Sequence, residues 1–287
     1  LPISKIIVIP NNKECIQSIL NTNNYLLLGI DKFSINTLNI SFDEIVDLTN
    51  KSNNIFLSLN RNISNDKLNE LEELLIKISK LNIKGLFYYD VAVVSIVNRL
   101  KIDINLIWSA EHYTTNYFTI NYWNKYGVNF VFLSNEITKN EMIEIRNNTK
   151  VKLIGQLFGY IPMYASKRHA VKNYLNHFKL DLNSTRYYLF KEDKKYSIVD
   201  NEDGTVIYTN FILNGLREYI DMNNVLDYVL INGYDIDDDK LFNIIDIFSK
   251  VNKDNIDELD NQILGMFDNL EKGFLYEETI YRVKRDK

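Results

Sequence analysis

Short apolar runs rich in β-branched residues alternate along the chain with longer stretches in which apolar residues recur at helical spacing. The short runs predict eight strands, at 5–9, 25–29, 55–59, 85–88, 105–108, 130–133, 152–157 and 227–231. The longer stretches predict helices at 41–51, 66–81, 91–99, 116–125, 139–147 and 237–251. Strands that alternate with helices in this way are typical of parallel βα units, and eight such units predict a (β/α)8 barrel of the TIM type.

Three further β-rich runs interrupt this pattern before the last predicted strand, at 187–190, 196–199 and 205–208. Charged turns separate them, which predicts an antiparallel β-meander inserted at about 178–210, between barrel strands 7 and 8. Insertions at this end of a barrel strand lie over the usual active face, so the meander is interpreted as a lid, a partner surface or a plain surface elaboration. We interpret 1–287 as one barrel domain with a C-terminal tail from about 262 to 287.

Composition narrows the class of protein. Hydrophobic residues make up 46% of the 287 residues and charged residues 25%, which is typical of a soluble globular chain. The formal net charge of −5 argues against tight non-specific DNA binding but permits a local basic site. The single cysteine, Cys15, excludes an internal disulfide and a cysteine-cluster metal site. With no export signal and no long apolar run, we expect a cytoplasmic protein without membrane contact.

The residues that follow the strands of a parallel barrel gather at one rim, where catalytic groups of this architecture lie. The polar residues at these positions are Asp31, Asn60, Asp90, Ser109, Glu111, Glu136, Gln156 and Asn232. Three of them, Asp90, Glu111 and Glu136, are carboxylates that would supply general acid and base groups if they converge. The alternative is that each caps the helix that follows it or pairs with a basic neighbour.

A basic segment, Ser166-Lys167-Arg168 with Lys172 nearby, lies next to the predicted barrel mouth. It predicts either a clamp for phosphate or carboxylate groups or an exposed helix face. His112, close to the fifth strand, is interpreted as a solvated histidine. The sequence contains no glycine-rich phosphate loop, no nucleophile elbow and no histidine pair at metal spacing, so no metal site is predicted.

Several separated blocks of the sequence, at 108–111, 115–123, 133–136 and 166–174, resemble in order the collagenase-like peptidase family of unknown catalytic type, family U32. The chain most resembles the shorter of the paired bacterial members linked to prephenate-dependent hydroxylation of the tRNA wobble uridine. The resemblance implies a (β/α) barrel, a paralogous family subunit and tRNA as partners, and prephenate as a co-substrate with no cofactor bound by this chain. It carries over three catalytic candidates and five substrate-binding candidates: Asp90, Glu111 and Glu136, then Asn60, Asn116, Ser166, Lys167 and Arg168.

Seven other family positions depart from the pattern that the resemblance implies. The usual arginine, histidine and two cysteines fall on Asn135, Phe158, Pro162 and Leu213, and the usual aspartate, lysine and glutamate fall on Phe211, Leu230 and Asn232. All seven changes replace a charged, ionisable or thiol group by a neutral one. Loss of both the lysine and the glutamate of the last strand leaves no unpaired charge behind, so the fold can persist without the site's electrostatics.

These observations support three hypotheses. The first is a catalytically degenerate barrel subunit that assists a more complete paralogue in tRNA wobble-uridine hydroxylation. The second is an active enzyme, either for tRNA hydroxylation or a collagenase-like peptidase, in which Glu111 and Glu136 act as acid and base and Lys167 with Arg168 binds an anion. The third is an interaction protein unrelated to RNA.

Overall fold

The computed structural model describes residues 4–110, 112–181, 184 and 186–277, which contain thirteen strands and ten α-helices. The strands are β1 (Lys5–Ile9), β2 (Tyr25–Ile30), β3 (Asn39–Ile40), β4 (Ile55–Leu59), β5 (Gly85–Tyr88), β6 (Leu106–Trp108), β7 (Phe130–Phe132), β8 (Lys152–Ser166), β9 (Arg186–Lys191), β10 (Lys194–Asn201), β11 (Gly204–Asn214), β12 (Tyr228–Asn232) and β13 (Leu270–Glu271). The helices are α1 (Ile16–Leu20), α2 (Phe42–Thr49), α3 (Leu68–Ile78), α4 (Val91–Leu100), α5 (Tyr117–Asn124), α6 (Lys139–Asn148), α7 (Ala170–Phe178), α8 (Leu216–Asp221), α9 (Asp238–Lys250) and α10 (Ile256–Met266).

Eight parallel strands close a barrel in the order β1, β2, β4, β5, β6, β7, β8 and β12. The ring closes because β12 pairs in parallel with both β1 and β8. The predicted (β/α)8 fold is therefore confirmed. Barrel strands are covered on both faces, so their sequences read as continuous apolar runs that are easy to locate.

The barrel has two apolar layers. Side chains from alternate strand positions fill the interior, where Phe56 and Tyr228 meet edge to face with ring centres 5.6 Å apart. The remaining strand residues face the helices and form a larger outer layer with them. Burying one such large side chain is worth about 1.5–3 kcal/mol, so both layers hold the strand ends in place. No helix in the described part of the chain is long and apolar enough to cross a membrane.

Strand β8 is shared between the barrel and the insertion. Its first half belongs to the barrel, and from Gly159 onwards it pairs antiparallel with β11, which is followed by β10 and β9. The predicted meander is present, but the antiparallel sheet spans 159–214 rather than 178–210, because β8 does not end at residue 157 as predicted. Ser166 is the last residue of β8 and Lys167 follows it, so the basic segment lies before α7 and is not a helix face.

A glycine is required where β8 leaves the barrel. Gly159 has φ +103°, and a Cβ there would lie 2.1 Å from the backbone oxygen of Asn232. Close by, the side-chain amide of Gln156 donates to the backbone oxygens of Phe158 and Tyr160 at 3.3 and 3.0 Å. The side-chain amide therefore satisfies carbonyl groups that the change of strand partner leaves unpaired.

Helix α7 is attached to the insertion by a fully buried carboxylate. Asp200 of β10 accepts hydrogen bonds from the backbone N–H groups of Val171 and Lys172 at 2.7 and 3.1 Å. His169 Nδ1 lies 3.1 Å from the same carboxylate. Asp200 thus caps the N-terminus of a helix from a neighbouring strand.

The C-terminal part packs on the barrel and the insertion. Helix α10 extends to Met266, and β13 pairs in parallel with β11, so the first part of the predicted tail at 262–287 is regular structure. Lys272 reaches the buried carboxylate of Glu218 on α8 at 3.0 Å. Residues 278–287 of that tail lie outside the described residues.

Candidate functional site

A small cavity of about 50 Å³ lies on the barrel axis at the carboxyl ends of the strands. Every side chain that lines it is uncharged. The polar ones are Asn36, Thr37, Ser58, Asn60, Ser109, Asn135, Gln156 and Asn232. The apolar ones are Ile9, Leu27, Phe87, Phe132, Pro162 and Leu230. Amides and hydroxyls can orient a ligand, but they do not exchange protons near neutral pH as carboxylates and histidines do.

Four of the seven departing positions line this cavity, namely Asn135, Pro162, Leu230 and Asn232. Leu230 is buried in the interior layer, directly beneath the mouth. The Asn232 side chain is held by backbone, because its amide nitrogen donates to the Tyr160 oxygen at 2.9 Å and its oxygen accepts from the Tyr234 N–H at 3.0 Å. The cavity therefore lacks the charged groups that the resemblance places there.

The other three departing positions face away from the axis. Phe158 and Leu213 are buried in the outer layer, and Phe211 packs partly buried against it. Phe158 meets the ring of Phe248 on α9 with centres 6.0 Å apart. These replacements fill apolar space behind the strands.

The two described carboxylate candidates, Asp90 and Glu136, do not line the axial cavity. Asp90 caps α4, since one carboxylate oxygen accepts from the Ala92 N–H at 2.9 Å and the other accepts from the Ile63 N–H at 2.8 Å. Both carboxylate oxygens of Asp90 thus hold backbone N–H groups in this structure. Glu111, the third candidate, lies outside the described residues.

Glu136 lies on the outside of the rim. Its Oε1 is 3.1 Å from His112 Nδ1, and both side chains are about half exposed, at 50% and 49%. They share an open cleft of about 800 Å³ between α6 and the C-terminal segment, which Tyr276 lines from the other side. His112 is therefore paired with a carboxylate rather than solvated alone as predicted.

The two amide candidates have local structural partners. Asn60 accepts from the Ile35 N–H at 2.8 Å and donates to the Ile35 oxygen at 2.7 Å, so it fixes the loop after β2 over the barrel mouth. Asn116 caps α5 by accepting from the Thr119 N–H at 3.0 Å. The sequence reasoning selected them because helix caps and rim residues occupy the same positions in a βα unit.

Three of the five binding candidates, Asn60, Ser166 and Lys167, line one rim pocket of about 210 Å³. Arg61 and His112 line the same pocket, and no described carboxylate does. A pocket with cationic groups and no carboxylate is suited to an anionic ligand. Neither Arg168 nor Asn116 lines it.

Sequence reasoning missed Arg61, which joins the rim to the insertion. Its guanidinium lies 3.3 Å from a carboxylate oxygen of Asp203, and both side chains are mostly buried. Burial raises the pKa of Asp203, and Arg61 and an amide donor from Asn39 oppose that shift. The available signal was position, since Arg61 directly follows Asn60 at the end of a barrel strand.

Two other chemistries find no support in the site. Within the described residues, no group of three or more histidine, cysteine, aspartate or glutamate side chains is arranged to hold a metal ion. Cys15 is buried, its Sγ donates to the Asn12 oxygen at 3.2 Å, and burial raises the pKa of its thiol. A thiol in that state is a poor nucleophile.

The sequence profile of peptidase family U32 matches residues 13–277. The chain belongs to peptidase family U32. The solved structure of the U32 peptidase Mk0906 matches with a TM-score of 0.54 and 12% identity, over 80% of this chain and 92% of that chain. At that identity the likeness establishes the shared fold. Among curated family relatives, the tRNA hydroxylation protein P2 of Bacillus subtilis (strain 168) is 27% identical over 252 residues, covering 79% of this chain and 81% of the relative.

Proposed function

We propose that this U32 chain takes part in hydroxylation of the tRNA wobble uridine as a non-catalytic partner of a paralogous U32 subunit. The similarity to the Bacillus subtilis tRNA hydroxylation protein P2 over about four fifths of both chains supports the pathway. In this proposal prephenate is the co-substrate of the hydroxylation, and the paralogue carries the chemistry.

We propose a non-catalytic role because every side chain that lines the axial cavity is uncharged. A TIM-type barrel ordinarily presents its reacting groups at this end of the strands. Here that position holds amides, hydroxyls and apolar groups, and Leu230 and Asn232 stand where the family resemblance implies a lysine and a glutamate. A barrel without these charges still folds and still offers its rim and insertion to a partner.

The experiment is mass spectrometry of total tRNA nucleosides from cells that lack this gene and keep the paralogue. We expect loss of hydroxylated wobble uridine and its return on complementation with the wild-type chain. We also expect return with the Glu111→Gln, Glu136→Gln double variant, since a non-catalytic partner does not need these carboxylates. The matched control is the wild-type chain, with Glu111 and Glu136 unchanged, in an otherwise identical expression strain.

Two outcomes contradict the proposal in different ways. If deletion of the paralogue abolishes the modification and deletion of this gene leaves tRNA unchanged, this chain takes no part in the pathway. Failure of the double variant to restore the modification, with circular dichroism showing a folded protein, assigns chemistry to those carboxylates instead.

The His112–Glu136 pair and the rim pocket favour one second candidate, an active hydroxylation enzyme. The pair would exchange protons at the rim, and Lys167 with Arg61 would hold an anion of the prephenate or phosphate type in the adjacent pocket. This candidate predicts that Lys167→Ala raises the prephenate concentration needed for half-maximal modification. A partner subunit predicts no such change.

A further inference from the structure

The two outer strands of the insertion carry an exposed aromatic and basic face. The register of β9 and β10 places Lys195 opposite Phe190 and Ser197 opposite Tyr188. Directly opposed residues of an antiparallel pair point to the same side, so Arg186, Tyr188, Phe190 and Lys195 share one face, which we name the ribbon face. Strand β9 is the last strand of the sheet, so the ribbon face lies at a sheet edge.

The rings of the ribbon face are open to solvent. Phe190 is 69% exposed and Tyr188 is 44% exposed. Lys195 Nζ lies over the Tyr188 ring, 3.8 Å from its centre, so a cation covers part of one face of that ring. Because the two rings are two residues apart on one strand, they are separated by about 7 Å. Adjacent exposed rings of this kind typically mark an interaction site.

The ribbon face belongs to a basic segment of an acidic chain. Residues 167–195 contain eight lysines and arginines against three aspartates and glutamates, whereas the whole chain has a net charge of −5. Among the described residues, Arg186 is the one lysine or arginine of this segment that forms an ion pair, with Asp235. Lys195, the lysine of the ribbon face, is therefore available to a polyanion.

The inner end of the ribbon face is anchored to the barrel rim by Tyr234. Its hydroxyl lies 2.8 Å from Ser197 Oγ, and its ring stacks on Tyr208 with centres 3.8 Å apart. The Arg186 guanidinium lies over the same Tyr234 ring at 5.4 Å. A pocket of about 220 Å³ opens at this junction. The exposed rings are thus presented from a fixed base beside the barrel mouth.

We propose that the ribbon face binds unpaired nucleotides of RNA. One base stacks on Phe190, Lys195 moves from the Tyr188 ring to a phosphate, and a second base takes its place on that ring. Exposed aromatic rings on a sheet surface, with cations beside them, are the usual platform for single-stranded RNA. Aromatic residues and arginine are common at protein interfaces but lysine is depleted there, so Lys195 beside Tyr188 is the feature that favours RNA over a protein partner. That the RNA is tRNA rests on the proposed function above.

The test measures binding of the full chain to a short fluorescent single-stranded RNA and to a fluorescent anticodon stem-loop, by anisotropy. We expect Tyr188→Ala and Phe190→Ala each to weaken binding by about tenfold, as for loss of one stacked base. Lys195→Ala should reduce the slope of log affinity against log salt by about 0.7, as for one phosphate contact on a single strand. Leu189→Ala and Lys194→Ala, on the opposite face of the same ribbon, should leave both quantities unchanged.

Three results overturn the inference. The first is that the wild-type chain binds no RNA. The second is that Leu189→Ala and Lys194→Ala weaken RNA binding as much as the ribbon-face variants do. The third is that Tyr188→Ala loses binding to the paralogue and keeps its binding to RNA. The last result makes the ribbon face a protein interface. Nucleoside mass spectrometry separates this inference from the proposed function. If gene deletion removes hydroxylated uridine but the chain binds no RNA, the RNA-binding role of the ribbon face is wrong and the proposed function stands. If the ribbon face binds RNA but gene deletion leaves tRNA unaltered, the proposed function is wrong and the RNA-binding role stands.

Discussion

Replacement of Asp200 by alanine should detach helix α7 from the insertion while the barrel stays folded. The Asp200 carboxylate is fully buried and accepts from two backbone N–H groups in the first turn of α7, those of Val171 and Lys172. Apart from the buried Leu175, the helix exposes most of its surface, so few other contacts hold it in place. Thr205 Oγ1 accepts from the Ala170 N–H at 2.8 Å, so Asp200 and Thr205 together hold the start of the helix on the sheet.

The size of the effect follows from the two bonds. A hydrogen bond to a charged group contributes about 1.5–3 kcal/mol, and part of that is recovered because water can reach the freed N–H groups at the helix terminus. A net loss of about 3 kcal/mol corresponds to about a hundredfold larger population of the detached helix. Asp200→Asn keeps one acceptor oxygen and loses the charge, so we expect about a tenfold increase.

Amide hydrogen exchange read by mass spectrometry measures this directly. Exchange in 170–178 should accelerate by these factors in the alanine and asparagine variants, while exchange in β1 and β4 stays unchanged. Equal protection of α7 in the wild-type chain and Asp200→Ala would refute the reasoning. So would a uniform loss of protection over the barrel, since that would make the carboxylate part of the global fold.

Three further predictions concern stability. Gly159→Ala should lower the free energy of unfolding by about 4 kcal/mol, because it combines a positive φ with a Cβ 2.1 Å from a backbone oxygen. Gly127→Ala, with φ +84° and open space around the Cβ, should lower it by about 1 kcal/mol. Urea denaturation compares the two variants, and equal midpoints would contradict the steric argument. Asp90→Ala should lower stability by about 2 kcal/mol through loss of its two backbone bonds, yet restore tRNA modification at equal amounts of folded protein. Lys13 and the Ser41 cap hold the pKa of Glu44 at about 2, below its ordinary value of 4.5, so the ionised carboxylate stabilises the fold above pH 4.5 and this contribution is lost as the pH falls towards 2. Glu44→Gln should therefore flatten the dependence of unfolding free energy on pH between 4.5 and 2. The same pH dependence in the variant and the wild-type chain would contradict this prediction.

The barrel strands could be predicted from the sequence because burial on both faces leaves a continuous apolar signal. Strand β8 shows where this signal ends. Its second half, after Gly159, is mostly exposed or half-buried and contains Pro162. Its pairing with β11 joins residues about fifty positions apart, which no local pattern reveals. The same long-range pairing determines where Ser166 and Lys167 lie.

The site was predicted less well because one position serves two purposes. A polar residue just after a barrel strand lies at the rim, and it also lies where the next helix needs a cap. Asp90 and Asn116 are caps, and Asn60 holds a loop, although all three were candidates for binding or chemistry. The lining of the axial cavity was predictable in chemical character, since the resemblance indicated neutral replacements at Asn135 and Leu230.

Strand β8 also has a mechanical consequence. It forms the closing seam of the barrel with β12 and is at the same time the root of the insertion. A load applied to Ser166, at the end of β8 away from the barrel, travels along one continuous backbone into that seam, where parallel hydrogen bonds resist it in shear. A macromolecule that pulls on the insertion at β8 therefore acts on the β8–β12 pairing that closes the barrel.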